Sequence, residues 1–358
     1  MIDPHVHLRD GSQSAKETIL HGLTVASGCG VDMVFDMPNC EPALTNAEVI
    51  TQRLDLAEKA VQKVKEESGR NIGYGLYAGL TADEQQIQEV VDCWRNLFPH
   101  VVGLKLFAGN STGNMGQVSE DAQRHIYHVL AHEGFHGVLA VHCEKQSQLV
   151  PTLENKDDFS SHSLARPLCA EVSSVKDQIR FAMEEGFKGH LHICHLSAVE
   201  SLEYVEQARK DGLSITTGVT PHHLLLSSFD AKDRHLYAKM NPPLRDEAHR
   251  LALVDALLKG RIDWVETDHA PHTLSDKENG ASGIPGFSGC LLLLDALYKT
   301  GLAKSTLRSL FGGRVLSVFG LPERDITLVP PDACRELSDR AAQQYPYDSY
   351  AVYRKNTK

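Results

Sequence analysis

Ile2-Asp3-Pro4-His5-Val6-His7-Leu8-Arg9 is a short strand-like run that ends by presenting two imidazoles and a guanidinium. Residues two apart on a strand point to the same face, so His5 and His7 can grip one metal ion while Arg9 stands nearby for an anionic substrate group. In a chain with 19 histidines one His-x-His tripeptide decides little alone. Its weight comes from what the rest of the chain sets beside it.

Seven further β-rich runs share its character: residues 31–37, 72–78, 101–107, 137–143, 190–196, 214–219 and 262–267. Each is followed by a helical pattern or by a loop leading to one, the signature of parallel βαβ units. The second helix carries Ile50, Leu54, Ala57, Val61 and Val64 as an apolar stripe at helical spacing. Thr45 with Glu48, Thr81 with Glu84 and Ser197 with Glu200 fit the capping box just after strands. Eight such units predict an α/β fold that closes as a (β/α)₈ TIM-like barrel, with its functional groups at the C-terminal ends of the strands. An open doubly wound sheet is disfavoured, since no Gly-rich phosphate fingerprint follows the first strand. No fixed-length repeat is visible. After Leu302 the alternation stops. Residues 1–303 are expected to form the barrel and 304–358 a helical and irregular extension packed on it, fastened by Tyr345, Tyr347, Tyr350 and Tyr353.

The bulk composition narrows the function. With 358 residues and 42% hydrophobic content the chain can bury a large core. A net charge of −11, with both signs mixed and no Lys/Arg block, argues against nucleic acid or an anionic membrane as partner. No apolar run reaches membrane-spanning length, and Met1-Ile-Asp-Pro-His5 lacks the marks of a signal peptide, so a cytoplasmic protein is expected. The eight cysteines form no Cys-x-x-Cys pair and read as reduced, mostly buried thiols.

Polar residues at the predicted strand ends are His5, His7, Asn39, Lys105, His142, His195 and Asp268. Four imidazoles and a carboxylate suit Zn²⁺ or a similar ion, and two close ions need a bridging ligand. Lys105 lies in Val-Val-Gly-Leu-Lys-Leu-Phe, otherwise a buried strand where an unpaired ammonium is costly. It can lose its charge, pair with an acid, or become a carbamate that bridges two metals, the last being the sharpest option beside so many histidines. His142 alone would read as a hydrogen-bonded core histidine. His192 and His195 are an odd number of residues apart, so strand parity sends them to opposite faces and makes His190 and His192 packing or surface residues. Asp268, ending an apolar strand beside His269 and His272, needs a partner or a metal.

Taken in order, Asp-Pro-His5-Val-His7-Leu-Arg9-Asp, Asp-Met-Pro38-Asn39, Gly-Leu-Lys105-Leu-Phe, Val-His142-Cys-Glu, Ile-Cys-His195-Leu-Ser, Thr-Pro-His222-His223, Asn241-Pro-Pro-Leu-Arg and Thr-Asp268-His-Ala-Pro-His272 resemble the landmarks of the amidohydrolase superfamily and, within it, the dihydroorotase family. The resemblance spans roughly the first 300 residues. It implies that His5, His7 and Asp268 hold one Zn²⁺ or similar ion, that His142 and His195 hold a second, and that N6-carboxylated Lys105 and a hydroxide bridge them. It further implies that Asp268 shuttles protons, that Arg9, Asn39 and His272 bind a substrate carboxylate, and that Asn241 joins them. Thr112, in the small polar loop after the fourth strand, is a further expected contact on a lid. The implied reaction is reversible cyclisation of N-carbamoyl-L-aspartate to L-dihydroorotate in pyrimidine synthesis. Another cyclic amidohydrolase of the dihydropyrimidinase or allantoinase type is the nearest alternative, and Arg9, Asn39 and His272 argue against it. A catalytically silent scaffold for aspartate carbamoyltransferase is the alternative from another class, and a homo-oligomer is a further possible assembly. One departure stands out: members with similar Asn-Pro-Pro-Leu-Arg and Asp-His-Ala-Pro-His motifs commonly carry a β-domain built from both termini, and no N-terminal half of it fits here.

Overall fold

The computed structural model describes residues 1–111 and 113–357. Eight parallel strands follow the sequence runs: β1 (Ile2–Val6), β2 (Met33–Asp36), β3 (Gly73–Gly79), β4 (Val101–Ala108), β5 (Val138–Cys143), β6 (His190–Ile193), β7 (Ile215–Val219) and β8 (Trp264–Val265). Each pairs with its neighbour in chain order, and the two-residue strand Gly116–Gln117 adds to the edge of β4. Just beyond β8, His269 bridges to Val6 and its carbonyl accepts the His7 amide at 2.7 Å, which nearly closes the barrel. Outside lie α1 (Ile19–Gly28), α2 (Ala47–Ser68), α3 (Glu84–Leu97), α4 (Glu120–His132), α5 (Leu168–Glu184), α6 (Ser201–Lys210), α7 (Glu247–Leu258) and α8 (Phe287–Tyr298).

Helix starts fall one to three residues from their expected places. Asn46 rather than Thr45 caps α2, accepting from the Val49 amide, and Asp83 rather than Thr81 caps α3. Ser197 caps nothing; it binds the buried Glu171, and α6 begins at Ser201. A full capping box forms instead at Thr273 and Asp276. Short polar side chains compete for several nearby amides, so the motif marks a neighbourhood better than a residue.

The floor of the barrel is filled from two directions. Ile2, Phe35, Tyr77, Val102, Val138 and Trp264 project inward, and α9 (Arg314–Phe319) brings Val315, Leu316 and Phe319 against them. The Phe319 ring lies 5.0 Å from that of Phe35 and 6.2 Å from those of Tyr77 and Trp264. The chain reaches this position through a kink at Gly312, whose φ of 146° and close approach to Ile2 leave little room for a side chain. Further on, α10 (Pro331–Ala342) packs along α8. No helix among the described residues is long and apolar enough to cross a membrane.

The C-terminal tyrosines anchor the last segment. Tyr350 is fully buried, and its ring leaves no room for a Cβ at Gly289. Tyr345 donates to Glu17 at 2.8 Å, and the same buried carboxylate faces His21 and His269, each at 3.0 Å. Burial alone would raise the Glu17 pKa, but His269 and these hydrogen bonds outweigh it and hold the carboxyl down at about 2. Its folded value thus lies below its unfolded value of 4.5. The stabilisation is complete above pH 4.5 and is lost as pH falls through about 2, amounting to roughly 3 kcal/mol. Urea melts of Glu17→Gln across this window are expected to show a lower stability at neutral pH and a flatter acid limb; an unchanged limb would exclude this linkage.

Candidate active site

The strand ends bring the expected residues together. His5 ends β1 with His7 just beyond, Asn39 follows β2, Lys105 lies within β4, and His142 lies within β5. His195 and Asp268 follow β6 and β8, and there the backbone leaves strand geometry, with φ of 36° and 49°. This left-handed region costs an ordinary residue about 1 kcal/mol or more, and both departures occur at the mouth of the barrel. The His195 ring comes to 4.9 Å from that of His142 and 5.1 Å from that of His5. Strand parity therefore fails for the His192–His195 pair. His192 also sits inside the barrel, stacked on Trp264 at 4.2 Å, so its expected packing role is realised in the interior rather than on an outer face.

His5 Nε2 and His7 Nε2 approach Asp268 Oδ1 at 3.3 and 2.9 Å, and donor atoms of the three residues lie within 4.8 Å of one another. His7 Nδ1 donates to Asn39 Oδ1 at 2.6 Å, which turns Nε2 toward the cavity and Asp268. His142 is turned the other way: Nε2 donates to Glu144 at 2.9 Å, and Nδ1 lies 3.2 Å from His195 Nε2. Burial drives His7 down to about 4, against the raising effect of Asp268, and takes His195 well below its usual range, so both stay neutral at pH 7. Burial would raise the Asp268 pKa, yet the His7 hydrogen bond and the His5 charge hold it far below the carboxylate range. Imidazole and carboxylate donors converging at this spacing fit a borderline divalent cation.

Lys105 is completely buried, and no carboxylate among the described residues pairs with it; its Nζ lies 3.1 Å from Cys194 Sγ and over the Phe107 ring. Arg9 is similarly enclosed. Its Nε has no partner among the described residues, and Nη1 reaches only the Asn39 carbonyl at 3.5 Å. Arg9 lines a polar cavity together with His5, His7, Asn39, His142, His195, Asn241 and Asp268. Asn241 is held by His162 at 2.8 Å and faces Ser111. His272 stands behind the wall, with Nε2 on the Ser282 carbonyl, and burial with Arg9 nearby presses its pKa to about 3. Thr112 lies outside the described residues.

Sequence reasoning gave no role to Glu144, Glu266 or His162. Glu144 receives His142 and a fork from Arg166; Glu266 lies beneath His5. A usable signal was present: each acid stands two residues from a candidate ligand, hence on the same strand face. His162 opens a four-residue helical turn, His162–Ala165, between β5 and α5, too short for a periodic pattern to place it.

The barrel and its histidine-carboxylate donor set are those expected of a metal-dependent hydrolase. In sequence, the chain is 33% identical to a dihydroorotase of Halobacterium salinarum, over 94% of this chain and 77% of the relative. It is 34% identical to a dihydroorotase of Brevibacillus brevis, over 90% and 73%. The chain belongs to the dihydroorotase family. No family model matches. Among solved structures, the L-hydantoinase of Arthrobacter aurescens superposes with a TM-score of 0.77 at 22% identity, covering 92% of this chain and 72% of the other. The Saccharomyces cerevisiae dihydroorotase in complex with 5-fluoroorotic acid gives 0.71 at 18%, covering 91% and 85%. At these identities the two structures support the fold.

Proposed function

We propose that the chain interconverts N-carbamoyl-L-aspartate and L-dihydroorotate at a two-metal centre. The observation that carries the substrate assignment is Arg9, a buried guanidinium without a carboxylate partner among the described residues, at the edge of the metal-ligand cavity. A ring bearing a carboxylate supplies the missing anion; dihydrouracil and allantoin do not. His5, His7 and Asp268 would hold one divalent cation, His142 and His195 the other, with a carbamate on Lys105 between them. When bound, the ions supply Lewis acidity toward the ring carbonyl and lower the pKa of water. In hydrolysis, water adds to the carbonyl carbon and the ring C–N bond breaks. Asp268 Oδ takes the proton from the attacking water and delivers it to the departing nitrogen. Ring closure runs the same transfers in reverse. Arg9, Asn39 and Asn241 orient the substrate, with His272 supporting the Arg9 side. Thr112 is given the further substrate contact. Residues 1–303 are read as the catalytic unit and 304–358 as its extension.

The deciding assay is hydrolysis of L-dihydroorotate by the zinc-supplemented chain, beside dihydrouracil and allantoin, with metal content measured on the same sample. Turnover of dihydroorotate alone, with two ions per chain, is expected. Preference for a neutral ring would overturn the Arg9 argument. No turnover at all, with a complex on gel filtration with aspartate carbamoyltransferase, would favour the scaffold reading; the same columns report self-association.

A further inference from the structure

The chemistry above leaves Glu266 unused, although it is among the most enclosed charges in the molecule, 1% exposed beneath the candidate metal centre. Oε2 accepts from His192 Nε2 and Trp264 Nε1, both at 2.9 Å. Oε1 accepts the backbone amide of His195 at 2.5 Å and faces His5 Nδ1 at 3.5 Å. That separation is longer than a formed hydrogen bond, and His5 Nδ1 has no other partner among the described residues. The carboxylate is accommodated because Gly218 lies opposite: a Cβ there would fall 2.4 Å from Glu266 Cδ.

We propose that Glu266 is a positioning residue for both halves of the metal centre, fixing the Nδ1 proton of His5 so that Nε2 is the bare donor, and holding the backbone turn that aims His195. The inference rests on the reading of His5 and His195 as metal ligands. An alternative use of the same atoms is a third cation, since His5, Cys194 and Glu266 bring three donor types within 4.8 Å. The hydrogen bonds decide between the two. Three donors already occupy Glu266, and its one remaining lone pair faces His5 Nδ1, so the carboxylate has at most a single site left for an ion. A carboxylate that accepts the far N–H of a ligating imidazole sets its tautomer and ring orientation.

Glu266→Gln keeps the shape but places an NH₂ against either the Trp264 or the His195 N–H, whichever way the amide is turned. Gly218→Ala keeps the charge but displaces the carboxylate. Metal affinity of the full chain, by chelator competition, and the visible spectrum of the Co²⁺-loaded chain are the readouts, with circular dichroism of the metal-free forms as the fold control. Both variants are expected to bind metal at least about tenfold more weakly and to show an altered Co²⁺ spectrum. If one variant fails to fold, the other carries the test. Affinity within twofold of wild type and an unchanged spectrum in a folded variant would overturn the role, as would a third tightly bound ion lost on Glu266→Gln. A wild-type chain that binds no divalent metal would remove the site itself and this role with it, an outcome distinct from variants that load like wild type.

Discussion

Asp268→Asn is expected to lower the rate of dihydroorotate hydrolysis by about a thousandfold or more, the largest loss of any isosteric change in the molecule. Two functions disappear together. The amide cannot accept and return a proton at Oδ, and it withdraws the charge that faces His5 and His7 across 3.3 and 2.9 Å. Metal analysis of the variant separates them. Full metal content with rate lost assigns the deficit to proton transfer, and metal lost in parallel assigns it to ligation. A rate within tenfold of wild type would remove Asp268 from the chemistry. The left-handed backbone at residue 268 is unchanged by this substitution, because asparagine tolerates that region as aspartate does, so the comparison is free of a backbone effect.

The second large effect is expected at Arg9 and has two opposite signs. Arg9→Met should cost about 3 kcal/mol of substrate binding, seen as a rise in KM for dihydroorotate on the order of a hundredfold. The same change should raise the melting temperature of the substrate-free chain. A guanidinium whose Nε is orphaned and whose pKa is depressed by burial is a desolvated charge that Asp36 and Glu17 only partly offset, and methionine fills much of its volume with no charge to bury. The protein would then be less stable than its sequence permits in order to hold a positive group ready for an anion. A lower thermal stability would show that Arg9 is a structural residue, as Arg53 nearby is, fully engaged by Asp36 and two backbone carbonyls.

These expectations draw on what the sequence made legible. Barrel strands are buried on both faces, so they appear as short unbroken apolar runs, and all eight were readable to within a few residues. His5, His7, His142, His195 and Asp268 were recoverable because a polar residue ending such a run is anomalous. Parity failed at His195 because it assumes a strand that has already ended, and a turn at φ of 36° leaves no mark on an ordinary histidine. Glu144 and Glu266 lay in view without a role, since a carboxylate's meaning depends on which donors converge on it. The supports of Asn241 and the filling of the barrel floor come from loops and from the far end of the chain, where no periodicity connects them to the strands they touch.

That floor also sets an order of events during synthesis. Val315, Leu316 and Phe319 pack on Phe35, Tyr77 and Trp264, yet leave the ribosome after every strand they complete. A nascent chain with all eight strands released still has an unplugged base, and the ring that positions the six candidate ligands lacks this packing until the late segment arrives. Metal uptake at these residues is then expected to follow release of the whole chain, so a chain ended before residue 314 should retain less metal than the full one.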